Sequence, residues 1–159
     1  MEKKVVIIMG SKSDDKKIEG LFEVFSSFEI EYERKILSAH RTPDDLVDFV
    51  KSLNPAKTAL IVAVAGGAAH LPGVVAANTI IPVIGVPIAN PPHGGMDAIL
   101  SIIEMPQGIP VVGVGAGSGG PANAALFAVR VLALNDQKLR ARYIKYVADM
   151  RQKVLDANK

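Results

Sequence analysis

Ser38, His40 and Arg41 fall within one short stretch, Ser38-Ala39-His40-Arg41-Thr42-Pro43, and together they could grip a phosphate and move a proton. A hydroxyl and a guanidinium are phosphate ligands, and an imidazole exchanges protons near neutral pH. Gly10-Ser11-Lys12-Ser13-Asp14 adds two hydroxyls and a run of backbone N–H groups just before a helical pattern, a second place for a phosphate. It lacks the spacing of a P-loop or of GxGxxG, and taken alone it reads first as a strand-to-helix turn with Ser13 or Asp14 as N-cap. Asp14 could instead accept hydrogen bonds from ribose hydroxyls. A third stretch, Gly66-Gly67-Ala68-Ala69-His70-Leu71-Pro72-Gly73, brings a second imidazole, although it could exist only to pack a helix on a sheet. Two histidines can suggest a metal, but HExxH spacing and cysteine are both absent. No GxSxG elbow supports a serine nucleophile. His93 lies among prolines and glycines and receives no role.

Each stretch needs a strand to hold it. Lys4 to Met9 is a continuous apolar run, the pattern of a parallel strand buried on both faces. Ile18, Leu21, Phe22 and Phe25 then recur at i, i+3, i+4 and i+7, an amphipathic helix. Ile30 to Leu37 is a second strand, more polar and so nearer an edge. Thr42-Pro43-Asp44-Asp45 opens a helix, with Thr42 as N-cap, proline in the first turn and two aspartates at the positive end of the dipole. That helix buries Leu46, Val47, Val50 and Leu53 and breaks at Asn54-Pro55.

Thr58 to Ala65 is the most apolar strand and is expected at the centre. A small-residue helix over Val74 to Asn78 and a strand over Pro82 to Pro87 follow. Asn90 to Gly95 is too irregular for regular structure and suits a mobile loop over a site. Met96 to Ile103 is expected as helix, Ile109 to Val114 as a fifth strand, Gly115 to Pro121 as a turn, and Ala122 to Leu134 as helix. Gln137 to Ala157 forms a long terminal helix with Leu139, Tyr143, Tyr146 or Val147, Met150 and Val154 along one side.

Strands alternating with helices predict an α/β fold: a three-layer α/β/α sandwich with a parallel five-stranded sheet, right-handed crossovers and order 2-1-3-4-5. In that order the exits of the first three strands are neighbours, so the three glycine- and histidine-bearing turns share one crevice. The 159 residues, about half apolar, suit one domain, 1–159. A formal charge of +2 with scattered lysines and arginines argues against a nucleic-acid stripe. With no cysteine and no long apolar span or leader, a soluble cytoplasmic protein that is not in a membrane is expected.

Gly10-Ser11-Lys12-Ser13-Asp14, Ser38 to Pro43 and Ala65 to Gly73, with Pro82-Val83-Ile84-Gly85-Val86-Pro87, Met96 to Ile102, Met105-Pro106 and Asn123 to Leu126, closely resemble the class I N5-carboxyaminoimidazole ribonucleotide mutases of purine biosynthesis. The resemblance implies a flavodoxin-like fold and transfer of a carboxylate from the exocyclic nitrogen to ring carbon 4 of an aminoimidazole ribonucleotide, without metal, ATP or other cofactor. It implies that Ser11, Ser13, Ser38 and Arg41 hold the substrate phosphate, that Asp14 binds the ribose, and that His40 is the acid and base. Ala39 would bind the substrate beside these, and Gly66, Gly67, Ala68, His70 and Leu71 would line the base and carboxylate pocket. A homo-octamer with sites at subunit contacts is implied too, the helix near 137–157 docking on a neighbour, as is coupling to the ATP-dependent N5-carboxyaminoimidazole ribonucleotide synthetase. Asn90 to Gly95 departs from the family's usual loop.

Two rivals make different demands. A class II relative carboxylates aminoimidazole ribonucleotide with free carbon dioxide, whereas the Gly66 to Gly73 segment favours class I. A flavodoxin-like binding or signalling module would use the same sheet but has no need of His40 and Arg41 beside a phosphate turn.

Overall fold

The structure, a computed structural model, describes residues 3–158. Five strands, β1 (Lys4–Met9), β2 (Tyr32–Ile36), β3 (Thr58–Gly66), β4 (Val83–Ile88) and β5 (Val112–Gly113), pair in parallel in the order β2-β1-β3-β4-β5. The expected topology is therefore present, with β3 at the centre. Continuous apolar runs are required because both sheet faces are covered. Val5, Ile7 and Met9 face a cluster with Leu21 and Phe25 of α1 (Glu19–Ser27) and Ala124, Ala125 and Ala128 of α5 (Gly119–Ala133). Val6 and Ile8 face Leu46 and Val50 of α2 (Pro43–Ser52), Val75 of α3 (Leu71–Ala77) and Ile102 of α4 (Met96–Ile103).

Several boundaries differ from expectation, each for a local reason. Ile18 ends a 3-10 helix, Lys12–Ile18, rather than opening an α-helix, and its cap is Ser11 instead of Ser13 or Asp14. The polar second strand is shorter, and its outer side is exposed. The third helix begins at Leu71, because Pro72 is compatible with a first helical turn. Only Val112 and Gly113 of the fifth apolar run join the ladder, as a short, exposed edge. α5 starts at Gly119 inside the expected turn: a Cβ on Gly120 would lie 1.7 Å from the Gly115 carbonyl oxygen, so glycine lets the turn fold onto the helix start.

The last helix, α6 (Gln137–Asp156), is capped by Asp136, whose carboxylate accepts from Leu139 N at 2.9 Å. Its first half returns to the body: Leu139 is buried with Phe28, Val129 and Ala133, and Tyr143 and Tyr146 pack around Phe28. Ile144, Val147, Met150 and Val154 are exposed. Among the described residues, no helix is long and apolar enough to cross a membrane.

Candidate active site

Parallel pairing ends β2, β1, β3 and β4 at the same edge, and their exits surround a cleft of about 430 Å³. Ser11, Ser13 and Asp14 line it from the 3-10 turn, Ser38 to Arg41 from the β2 exit, and Gly66, Ala68, His70 and Leu71 from the β3 exit. Every site residue expected from sequence lines this cleft except Gly67, which holds the turn beside it with φ +64°. A left-handed backbone is open to glycine without the penalty of a Cβ.

The β2 exit is locked by hydroxyls. Thr42 occupies the N-cap position of α2, but its hydroxyl does not cap the helix. It accepts from Ser38 N at 2.9 Å and donates to Ser38 O at 3.2 Å. The Ser38 hydroxyl accepts from the backbone N–H of Arg41 at 3.2 Å and of His40 at 3.4 Å. These bonds satisfy backbone groups that the strand ladder leaves behind. Arg41 then reaches across to β1 and donates from Nη2 to Gly10 O at 2.7 Å. This ties the guanidinium to the turn where the Ser11 and Ser13 hydroxyls lie 2.8 Å apart. Three hydroxyls and a tethered guanidinium make a ready anion cradle.

His40 Nε2 and His70 Nδ1 are 2.7 Å apart, with the rings edge to face. Such a bond needs a proton on one nitrogen and a bare lone pair on the other, so the two imidazoles are coupled in what they donate and accept. Both are exposed to the cleft, as proton exchange with a ligand requires. Asp14 is half-buried there. Desolvation raises its carboxyl above the ordinary value of 3.8, while Lys17, a backbone hydrogen bond at Ser11 and Arg41 pull the other way.

Sequence reading missed the polar lining side chains of Lys17 and Asn90, together with Gly10 and Ala65. In a 3-10 helix residues i and i+3 eclipse, which sets Lys17 above Asp14. Asn90 begins the irregular loop anticipated over a site. His93, three residues on, is exposed and lies outside the cleft lining.

A five-stranded parallel 2-1-3-4-5 sheet with one cleft at its strand exits defines a flavodoxin-like α/β protein whose functional groups gather where such sheets bind ligands. Residues 4–153 match the family described as AIR carboxylase, and the chain belongs to that family. It is 45% identical over 152 residues to the N5-carboxyaminoimidazole ribonucleotide mutase of Saccharolobus solfataricus, covering 96% of this chain and 95% of the relative. The mutase of Escherichia coli strain K12 is 45% identical over 139 residues, 87% of this chain and 82% of its own. The crystal structure of Treponema denticola PurE matches with a TM-score of 0.86 at 30% identity, over 97% of this chain and 95% of that one.

Proposed function

We propose that this chain is an N5-carboxyaminoimidazole ribonucleotide mutase of purine biosynthesis, with His40 as its acid and base. One observation carries the reading: the His40 imidazole lines the same cleft as the hydroxyls of Ser11, Ser13 and Ser38 and the Arg41 guanidinium. Near-full-length likeness to proteins bearing the mutase name supports it.

In this reading Ser11, Ser13, Ser38 and Arg41 take the phosphate and Asp14 the ribose. Gly66, Gly67, Ala68, Ala39, His70 and Leu71 surround the base and its carboxylate. Protonated His40 donates to the exocyclic nitrogen; the N–C bond breaks, its electron pair stays on nitrogen, and carbon dioxide is released into the cleft. Ring carbon 4 attacks the carbon dioxide, and the now neutral His40 removes the carbon-4 proton, restoring both the aromatic ring and the imidazolium. Atoms and charge balance over the cycle, so no co-substrate is consumed. Holding carbon dioxide beside the ring replaces a bimolecular search with an encounter inside one complex.

The functional unit in this proposal is a cytoplasmic homo-oligomer, an octamer by family resemblance, each subunit one domain over 1–159 with α6 docked on a neighbour. Its substrate comes from the ATP-dependent synthetase of the same resemblance. Support for the docking role is the exposed apolar row on the second half of α6.

The test is a single-turnover conversion of substrate labelled in its carboxylate, with unlabelled bicarbonate in solution. Retention of most of the label in the carbon-carboxylated product is expected, at a rate that EDTA leaves unchanged. Complete exchange, or no conversion until bicarbonate is added, would overturn the mutase reading in favour of direct carboxylation. In His40→Asn, turnover should fall by about 10²-fold or more while product binding in calorimetry persists, because an amide cannot shuttle the proton.

A further inference from the structure

The ligand of the mutase reading, on which this inference rests, carries a phosphate at one end and a carboxylate at the other. Arg41 is tied to Gly10 and to the Ser38 hydroxyl, on the β1 and β2 side. The other cation in the lining is Lys17, and it is drawn the opposite way. Its Nζ donates to Asn90 Oδ1 at 2.5 Å, spanning from the 3-10 turn after β1, past the β3 exit, to the β4 exit.

That placement is fixed from below. A Cβ on Gly66 would lie 2.5 Å from Asn90 Nδ2, so the glycine leaves room for the amide to lie directly on the end of β3. Asn90 therefore has its nitrogen over Gly66 and its oxygen on Lys17. An ammonium has three donors, and Asn90 is its hydrogen-bond partner among the described residues, which leaves two for a ligand. Lys17 also heads the charges that oppose the desolvation of Asp14, which places its ammonium near that carboxylate.

We propose that Lys17, held by Asn90 over Gly66, is the cation that recognises the ligand's carboxylate, leaving Arg41 and the serines to the phosphate. The phosphate of the ligand then meets Arg41, tied to Gly10, and its carboxylate meets Lys17, tied to Asn90 over the β3 exit. Lys17 is thus a specificity-determining residue for carboxylated over decarboxylated ribonucleotide.

Calorimetric titration of three ligands separates the roles: the carbon-carboxylated product, aminoimidazole ribonucleotide without the carboxylate, and inorganic phosphate. Lys17→Met, a change at an exposed side chain, should weaken product binding about tenfold, the size of one charge-assisted contact, and leave the other two affinities as in wild type. Asn90→Asp, which keeps Lys17 but cancels its charge, should give the same selective loss. Lys16→Met, the removal of an exposed neighbouring charge, should leave the ratio of product to decarboxylated affinity unchanged. Equal weakening of all three ligands in Lys17→Met, no weakening of any, or a changed ratio in Lys16→Met would overturn the assignment. Wild-type protein that binds neither ribonucleotide would instead remove the mutase reading beneath it.

Discussion

Asp14 sits in the cleft at a cost in stability near neutral pH. Burial raises its carboxyl above 3.8, and the opposing influences of Lys17, the backbone bond at Ser11 and Arg41 do not restore it. The folded state thus binds the proton more tightly than the unfolded chain does. The stability this contributes is complete below 3.8 and is lost as pH rises through the raised folded value. Asp14→Asn, neutral throughout, is expected to melt at a higher temperature than wild type at neutral pH, and the gap should close as pH falls below 3.8. Thermal scans across that window check it, and a gap that persists in acid would exclude titration as its source. The same variant should bind ribonucleotide more weakly if the carboxylate accepts from the ribose.

Between residue and fold stands the turn from β2 into α2. Thr42 lies where a capping hydroxyl belongs, yet its two hydrogen bonds go back to the Ser38 backbone. Ser38, His40 and Arg41 are consequently presented by a stapled loop. Thr42→Val keeps the shape and removes both bonds, leaving a part-buried N–H without its acceptor, at a cost of about 1–3 kcal/mol in urea unfolding. Phosphate affinity should fall with it, since the Ser38 hydroxyl and Arg41 lose a fixed platform. Unchanged stability would mean that these two hydrogen bonds do not hold the turn.

Over the whole molecule, the two halves of α6 differ in exposure. Leu139, Tyr143 and Tyr146 close over Phe28 within the chain, and burying one leucine side chain contributes roughly 2 kcal/mol. Further along, Val147, Met150 and Val154 are 39%, 44% and 69% exposed. Replacing these three with serine should lower the mass seen by light scattering while leaving the subunit's melting little changed, because their contacts would be with another subunit. A wild-type chain that scatters as a 16.8 kDa particle would remove the oligomer from the proposal.

Much of this was legible without coordinates, for a local reason. Lys4 to Met9 and Thr58 to Ala65 read as strands of a buried parallel sheet because such a ladder leaves no solvent side, and strand alternation with helices then implies the sheet order that gathers three exits into one cleft. Ser11, Ser38, His40 and His70 could be named because glycine, proline and polar residues at strand ends mark turns whatever the rest of the chain does. Tertiary structure alone decided the pairings across that cleft. The 2.7 Å contact of His40 with His70 joins residues 30 apart in sequence, and Lys17 meets Asn90 across 73. Periodicity carries no information on such distances; they depend on where neighbouring strands stop and which way a loop leaves them. The direction of the Thr42 hydroxyl and the division of α6 are of the same kind, since each is settled by whichever competing partner the fold brings within reach.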